Sequence, residues 1–559
     1  MRKATKKIFA MSMASAMAMS MLAGCTSNED SGKTTDNTKA EGTNATETKG
    51  ETKEETKEFV DYSKGFEETV TIEIPVYERG WEGWDPTDNF WSKWIQENML
   101  EKYNIQVNFT KIGRSTEVTD FTQMLAGGTA PDIIFHFDYP NIVDYNNEDA
   151  FQEIDLDEVA YYAPTFWENM GDRIKEYGVI DGKQVVVMGD RSELLSNNWG
   201  TIVRKDWVEQ VGWKVEDIQT LEDWEEVLGL WKEAGLGYAS SSLVMKSFNF
   251  DYSFREWPNN EEERALNSDL AVASLSWEPT KEWLRAQNRQ YNAGLITPEF
   301  YLDKDGTNAR ADFLSGKAGT LAMYINKGTK EQVIDPLLQA FPEAELAILP
   351  LGSGAPEDNQ AQGRKYWPFG MIFGINADTS DEERIACWLY VEWMNQYDTV
   401  FTLQNGFEGT HYELNEDGVP VPLGYTGEEK LSPNDNGDYT WVCDANKVYD
   451  TEELAKKAAV VSYAPVGYEY LIEDIIASNE ANDEYYTTDY GFTVPLESLN
   501  EYKADLATLW QESYVELVRC NPDEFDALYE EKAQEYLDAG YQEILDEKKE
   551  AYDAGNYFK

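Results

Sequence analysis

Strand-like and helix-like segments alternate over short loops in the first ordered part of this chain. Apolar and polar residues alternate there as in half-buried strands, and between these segments the apolar residues return at helical spacing. The strand patterns lie at 70–76, 105–109 and 132–135, and the helical patterns at 90–103 and 121–125. Strands joined by helices over such short loops predict a parallel α/β sheet.

The same kinds of segment recur further along the chain. Strand patterns lie at 184–188, 200–204, 319–324 and 371–375, helical patterns at 220–231 and 274–293, and long charged helices follow residue 499. Thr220, with Asp223 three residues later, indicates a capping box at a helix start. Gly127-Gly128 indicates a left-handed helix end, and Asp181-Gly182 a hairpin turn. Since ligands of such sheets bind beyond the carboxyl ends of the strands, the loops after the first and third strands are candidate sites.

The charge balance excludes some classes of partner. Acidic residues number 105 against 47 basic ones, which gives a net charge of −58. A surface of this kind repels nucleic acid and anionic membranes, so we predict no nucleic-acid partner. The balance gives no support to a polyanionic ligand either, although it leaves a local basic pocket open.

The sequence offers little material for a metal or cofactor. His136 and His411 are the two histidines and no CxxC motif occurs, so a zinc site or a histidine-dependent triad is not expected. The acidic turns 303–306 and 434–438 resemble fragments of calcium loops but lack a well-placed Glu. We expect both to be solvated turns, and we predict no metal and no cofactor.

Residues 1–24 have the plan of a secretory signal peptide, with four basic residues, an apolar run at 8–22 and small residues at the end. The polar, low-complexity stretch that follows predicts a disordered tether over 25–64. Leu22-Ala23-Gly24-Cys25 resembles the lipobox of bacterial lipoproteins. That resemblance implies a lipid on Cys25, which would hold the protein on the extracytoplasmic face of the cell membrane, as on a Gram-positive cell surface.

Six further motifs occur in one order along the chain. They are LAGGTAPDII (125–134), DGKQV (181–185), IVRKDWV to TLEDW (202–224), YNAGLITPEF (291–300), FLSGKAG (313–319) and GFEGTHY (406–412). Together they resemble bacterial extracellular solute-binding protein family 1, in its large lipoprotein type that serves carbohydrate ABC importers. The resemblance spans roughly residues 70 to 550, although most of these motifs have structural roles in turns and helix ends.

The resemblance implies a two-lobed, periplasmic-binding-protein-like α/β fold, with a hinge, an interlobe ligand cleft and extra C-terminal helices. The implied division is a first part of the N-terminal lobe at 65–180, a first part of the C-terminal lobe at 181–310, a return crossing through the N-terminal lobe and hinge at 311–380, and the C-terminal lobe remainder with terminal helices at 381–559. The implied function is capture of a carbohydrate, expected to be an oligosaccharide, by a monomer that delivers it to permease subunits without chemical conversion.

A sugar site needs aromatic faces for the ring and planar polar groups for the hydroxyls. The candidate ligand-binding residues, at strand ends and in loops, are Glu78, Arg79, Trp81, Trp84, Asp138, Tyr139, Trp199, Arg255, Trp257, Tyr324, Asn326, Trp367 and Phe369. Each aromatic residue has lobe packing as a rival role, and each arginine has an acidic neighbour as a rival partner. Arg79 and Arg255 leave an acidic sugar open.

Two other functions stay open at the level of sequence. A secreted glycoside hydrolase would use paired carboxylates about 5–10 Å apart, and the many acidic residues allow such pairs. A glycan sensor or adhesin could be built on the same fold. Release of reducing ends from glycans would distinguish the hydrolase from a binding protein.

Overall fold

The computed structural model describes residues 57–191, 198–243, 261–267, 274–357, 363–443, 451–481, 486–488 and 490–558. The chain divides into the units Met1–Glu58 and Phe59–Lys559, and all elements below belong to the second. The strands are β1 (Val70–Glu78), β2 (Ile105–Gly113), β3 (Ile133–His136), β4 (Val179–Ile180), β5 (Lys183–Gln184), β6 (Val187–Met188), β7 (Trp199–Arg204), β8 (Thr320–Tyr324), β9 (Leu346–Ile348), β10 (Gly363–Arg364), β11 (Ile372–Ile375), β12 (Tyr412–Leu414), β13 (Pro420–Pro422), β14 (Tyr486–Thr487), β15 (Gly491–Phe492) and β16 (Tyr557–Phe558).

Helices account for most of the remaining regular structure. They are α1 (Phe90–Tyr103), α2 (Glu117–Gly127), α3 (Tyr139–Asn147), α4 (Leu156–Tyr162), α5 (Pro164–Tyr177), α6 (Lys205–Gln210), α7 (Leu221–Ala234), α8 (Glu261–Asn267), α9 (Glu278–Ala293), α10 (Thr307–Leu314), α11 (Asp335–Ala340), α12 (Asp381–Met394), α13 (Tyr397–Asn405), α14 (Glu452–Tyr463), α15 (Tyr470–Ala481), α16 (Glu497–Arg519), α17 (Phe525–Tyr536) and α18 (Gln542–Asp553). Among the described ranges, none of the helices has the length and apolarity needed to span a bilayer.

The first sheet combines strands from two distant parts of the chain. β1 and β2 pair in parallel, whereas β11 pairs antiparallel with both β3 and β6. Asp132 connects the two groups, because its N–H donates to the Glu73 carbonyl (3.0 Å) and its carboxylate accepts from the Glu73 N–H (2.7 Å). The predicted parallel sheet is therefore correct for β1 and β2 and wrong for the ladder on β3, whose partner belongs to a returning segment.

The second sheet has β7 at its centre. β7 pairs antiparallel with β8 on one side and with β9 on the other. The strands predicted at 200–204 and 319–324 are confirmed as β7 and β8. Their antiparallel pairing was not predicted, because periodicity identifies a strand without its partner.

Buried residues form separate cores. The first core draws on residues 66–188 and 369–443. Two adjoining clusters around the second sheet draw on 202–349 and 459–476, and a helical cluster draws on 221–300 and 492–551. The chain thus passes between the sheets after residue 188, after 349 and after 443. The predicted lobe boundaries stay a prediction.

Several local predictions are confirmed. Thr220 and Asp223 form the capping box of α7, and Gly128 ends α2 with φ of 61°. Asp181 and Gly182 both have positive φ (47° and 74°) in the hairpin of β4 and β5, as a type I′ turn requires. The helix predicted from residue 274 begins at Glu278 instead, with a proline in its first turn.

Candidate functional site

Aromatic and cationic side chains meet where β1, β2 and β3 end. Tyr77, near the end of β1, carries the Arg79 guanidinium 5.5 Å and the Arg114 guanidinium 5.0 Å from its ring centroid. Arg114 also lies 5.8 Å from the ring of Phe137, which follows β3 and is 42% exposed. The edge predicted from strand order is therefore lined by two cations and by aromatic faces.

We call the group of Tyr77, Arg79, Arg114 and Phe137 the first wall, and a buried carboxyl group lies behind it. Glu117 accepts a hydrogen bond from the Tyr77 hydroxyl (2.5 Å) and lies 3.2 Å from Arg114 Nη1 and 3.7 Å from His136 Nε2. Burial raises the pKa of Glu117 to about 7. Burial, together with the positive charge of Arg114, lowers the pKa of His136 to about 4. Both oxygens of Glu117 have partners, so this group positions Tyr77 and Arg114.

The turn at 434–438 belongs to the same wall. Arg79 Nε and Nη2 donate to the Asp438 carboxylate at 2.8–3.0 Å, and Asp438 is largely buried. Asn436 is fully buried and donates from Nδ2 to the Leu403 carbonyl (2.8 Å). The prediction of a solvated turn is wrong for this segment, because its polar side chains are satisfied inside the first core.

A second group of aromatic residues, which we call the second wall, lies at the start of β7 and the end of β8. Trp199 pairs with Tyr324 across the ladder, with ring centroids 5.8 Å apart. Its Nε1–H donates to the Tyr366 hydroxyl (2.9 Å), and the Arg191 guanidinium lies 3.6 Å from the Tyr366 ring centroid. The sequence predicted Trp199 and Tyr324, and the structure adds Tyr366 and Arg191.

A cavity of about 240 Å³ brings segments of both sheets together. Phe137, Asp190 and Arg191 come from the ends of β3 and β6, whereas Lys327 follows β8. Lys327 Nζ contacts Asp435 at 2.6 Å, beside the turn that holds Arg79. Its remaining lining residues are Gly370, Met371, Gln404, Asn405, Asn434, Asp435, Gly437, Thr440, Trp441, Cys443, Ser462 and Tyr463.

Four other predicted residues lie near the first wall or beside the second. Glu78 is turned toward its own loop, where it accepts from the Gly80 N–H (2.7 Å). Trp81 lies 5.5 Å from the Arg79 guanidinium and is half-buried. Asp138 is exposed, and its N–H donates to His136 Nδ1 (2.8 Å). The N–H of Asn326 donates to Thr329 Oγ1 (3.1 Å), which stabilises the turn after β8.

Three predicted residues surround Phe558, near the C-terminus, instead of facing the cavity. The centroid of Phe558 lies 4.7 Å from that of Tyr139, 5.3 Å from Trp367 and 6.3 Å from Phe369. Tyr139 and Phe369 are buried in the first core, and we leave all three out of the proposed binding set. Trp84 is half-buried and packs against the same core. Arg255, Trp257 and Cys25 lie outside the described residues.

Some functional candidates were missed by sequence reasoning. Arg191 and Tyr366 carry no local motif, and they meet because the chain crosses between the sheets beside both. Glu117 and Asp438 are two acidic residues among 105, so nothing in the sequence distinguishes them. The available signal was positional, because Arg114 and Phe137 directly follow strands whose ends were already candidate sites.

A larger cavity of about 740 Å³ lies beside β9 and the start of α15. Its lining is mainly apolar, with Leu346, Ile348 and Pro350 on one side and Tyr468 and Tyr470 on the other. All of its lining residues belong to segments around the second sheet and none to the first core, so this cavity does not join the two sheets and we do not assign it as the site. Across the described ranges, no group of His, Cys, Asp and Glu side chains is arranged to hold a metal ion.

Comparison with known proteins identifies relatives of this architecture. A family model described as bacterial extracellular solute-binding protein matches residues 83–399. A comparison with curated proteins found no match.

Three solved structures resemble the chain over most of its length. The Streptococcus pneumoniae ABC-transporter substrate-binding protein FusA, in complex with kestose, is 15% identical with a TM-score of 0.59, over 87% of this chain and 99% of that one. A Bifidobacterium longum infantis HMO-binding, ABC-transporter-associated solute-binding protein is 13% identical with a TM-score of 0.53, over 87% and 99%. The N-glycan transport solute-binding protein NgtS from Streptococcus pneumoniae is 14% identical with a TM-score of 0.52, over 87% and 99%. These likenesses confirm the two-lobed α/β fold.

Proposed function

Since the chain belongs to the bacterial extracellular solute-binding protein family, we propose that it is the substrate-binding lipoprotein of an ABC importer, which captures an oligosaccharide between its lobes and delivers it to the membrane permease. Membership places the protein outside the cytoplasm, and the proposal adds the ligand class, the anchor and the delivery step.

One observation carries the proposal. The cavity takes its lining from segments next to both sheets, with Phe137 and Arg191 on one side and Lys327 and Tyr463 on the other. A ligand held there touches both lobes, so its affinity favours a closed arrangement that a permease can recognise. In proteins with two lobes and a hinge, a ligand that binds between the lobes stabilises the closed conformation.

The lining suits a polyhydroxylated ligand. Gln404, Asn405 and Asn434 offer amides, and Thr440 and Ser462 offer hydroxyls. Exposed Phe137 in the lining offers a flat aromatic face for a sugar ring, and half-buried Trp199 offers another outside the lining, where it contacts Tyr366 beside Arg191. Three structural relatives are named for oligosaccharide ligands or for their transport, which agrees with this ligand class.

We propose that the protein binds its ligand without converting it. Glycoside hydrolysis needs two carboxyl groups that face the scissile bond. At the cavity, Asp435 and Asp190 contact Lys327 and Arg173, and Glu117 behind the wall has a partner on each oxygen. No observation on the described residues favours the hydrolase over the binding protein, so we propose one function.

Calorimetry with the full chain in detergent tests the ligand class. We expect at least one of a set of neutral and acidic tri- to hexasaccharides to bind at one-to-one stoichiometry, with no release of reducing ends. Trp199→Ala should weaken binding at least tenfold, because it removes a ring from the second wall and leaves the Tyr366 hydroxyl without its donor. Leu302→Ala, on an exposed side chain, is the control. Absence of binding to every saccharide would refute the proposed function.

The anchor has a separate test. Cys25→Ser should move the protein from the membrane fraction to the medium and abolish labelling with radioactive palmitate, while purified protein keeps its affinity. We further expect the protein to be a monomer by light scattering. Unchanged membrane association of the Ser variant would rule out lipidation at Cys25.

A further inference from the structure

The cavity differs in charge from the rest of the protein. The chain has a net charge of −58, yet two arginines, a lysine and two aspartates lie in the cavity wall or contact it. Two of these cations contact carboxylates: Lys327 Nζ lies 2.6 Å from Asp435, and Arg173 Nη1 lies 3.5 Å from Asp190. The charged lining residues Asp190, Arg191, Lys327 and Asp435 sum to zero net charge, and within the described residues the guanidinium of Arg191 has no carboxylate partner.

Arg191 is held in a defined position. Its N–H donates to Asp190 Oδ1 (2.9 Å), which fixes the backbone beside the end of β6. Its guanidinium lies 3.6 Å from the centroid of Tyr366, whose hydroxyl accepts from Trp199 Nε1 (2.9 Å). The ring contact leaves the N–H groups, which lie in the plane of the guanidinium, available for another acceptor.

A stacked guanidinium of this kind is suited to a carboxylate. Arginine presents parallel N–H groups that match the two oxygens of a carboxylate, and such paired bonds are stronger than neutral ones. Hydroxyl groups of a neutral sugar would use the same N–H groups singly. A chain this acidic repels an anionic ligand at long range, so only a local cation makes binding of one favourable.

We infer that the cleft recognises a carboxylate-bearing sugar residue, with its carboxylate on Arg191 and its ring near Trp199 and Tyr366. This inference rests on the proposed function and names the class of oligosaccharide. Neutral hydroxyls of the same ligand would meet the amide and hydroxyl groups of Asn405, Asn434 and Ser462.

Matched ligands test the inference directly. Affinities of the full chain are measured for trigalacturonate and its methyl ester, for hyaluronan tetrasaccharide and its methyl ester, and for 3′-sialyllactose and lactose. In at least one pair we expect the carboxylate form to bind at least tenfold more tightly. Added salt should reduce that difference.

Variants of two arginines locate the effect. Arg191→Gln should reduce the preference for the carboxylate form to within twofold, because the carboxylate form loses a charged pair where the neutral form loses single hydrogen bonds. Arg191→Lys should restore part of the preference, because it returns the charge without the paired geometry. Arg289→Gln, which removes the ion pair between Arg289 on α9 and Glu225 on α7, should change nothing. Thermal melts of each variant check that it is folded.

The outcomes separate the two levels of the proposal. If neutral members bind as tightly as carboxylate members, or Arg191→Gln keeps the preference, the inference is overturned and the proposed function stands. If no member of any pair binds and no saccharide of the wider set binds, both are overturned.

Discussion

Glu117 and His136 exchange their ordinary protonation states on folding. Burial raises the pKa of Glu117 from 4.5 to about 7 and lowers the pKa of His136 from 6.5 to about 4. Between pH 4.5 and 6.5 the folded pair carries its proton on Glu117, whereas the unfolded pair carries it on His136. The two states bind equal numbers of protons from this pair, which therefore adds little pH dependence to stability.

Single substitutions of Glu117 and His136 should change the free energy of unfolding with pH in opposite directions. In Glu117→Gln only the unfolded state protonates His136 between pH 4 and 6.5, so the free energy of unfolding should rise with pH across that window. His136→Asn keeps an acceptor for the Asp138 N–H. In this variant only the folded state protonates Glu117 between pH 4.5 and 7, so the free energy of unfolding should fall as the pH rises. Each change should be on the order of 2 kcal/mol. Urea denaturation at four pH values measures them, and slopes of equal sign in both variants would contradict the exchange.

For single residues, the sequence predicted which side chains lie near the site better than it predicted their interaction partners. Arg79 and Trp81 were found because they follow a strand, and they do lie at the wall. Arg79's partner, Asp438, was not predictable, since a chain with 105 acidic residues offers every arginine many candidates. Tyr139, Trp367 and Phe369 were equally close to strand ends, and the difference between facing the cavity and facing Phe558 depends on packing that no local pattern carries.

At the scale of the elements, β11 fits closely against its surroundings. A Cβ on Gly374, in its centre, would lie 2.4 Å from Phe151 Cδ1 and 2.8 Å from the Val185 carbonyl oxygen. Gly374→Ala should therefore destabilise the protein by roughly 1–3 kcal/mol through overpacking. Chemical denaturation followed by tryptophan fluorescence measures the change.

Gly229 provides the matched control. It lies in α7, and a Cβ there would meet nothing within 4 Å. Gly229→Ala should stabilise the protein by up to about 1 kcal/mol, since alanine is the better helix former. If both alanine variants behave alike, the close fit of β11 is not what limits substitution at Gly374.

Periodicity and capping signals predicted which segments are helices and strands, as α1, α7 and β8 show. They predicted the parallel direction of β1 and β2 but not the antiparallel pairing of β3. The pairing of β11 with β3 and β6 depends on a chain that leaves the first core and returns, and the local alternation of apolar residues is the same for either direction.

At the scale of the molecule, Phe558 at the far end of the chain packs against the first core. Phe558 lies among Tyr139, Tyr177, Trp367 and Phe369, while β16 pairs with β15 ahead of the helix α16. Asp181 N–H also donates to the Thr493 carbonyl (3.0 Å). The last helices are thereby attached to the first core as well as to α9.

Phe558→Ala tests this attachment. It should lower stability by about 2 kcal/mol, since a half-buried aromatic side chain is removed. Glycan affinity should stay within twofold, because Tyr139, Trp367 and Phe369 face Phe558 and not the cavity. A folded variant with affinity reduced more than tenfold would return those three residues to the binding set.

The position of β11 also has a consequence for how the protein is made. Because the polypeptide is synthesised from its N-terminus, β3 and β6 are made long before β11, which pairs with both. Until then each has an unpaired edge of the kind that promotes association with other chains. We expect the nascent protein to depend on holding chaperones over this interval, and chains that stop short of residue 372 to be recognised as misfolded and degraded.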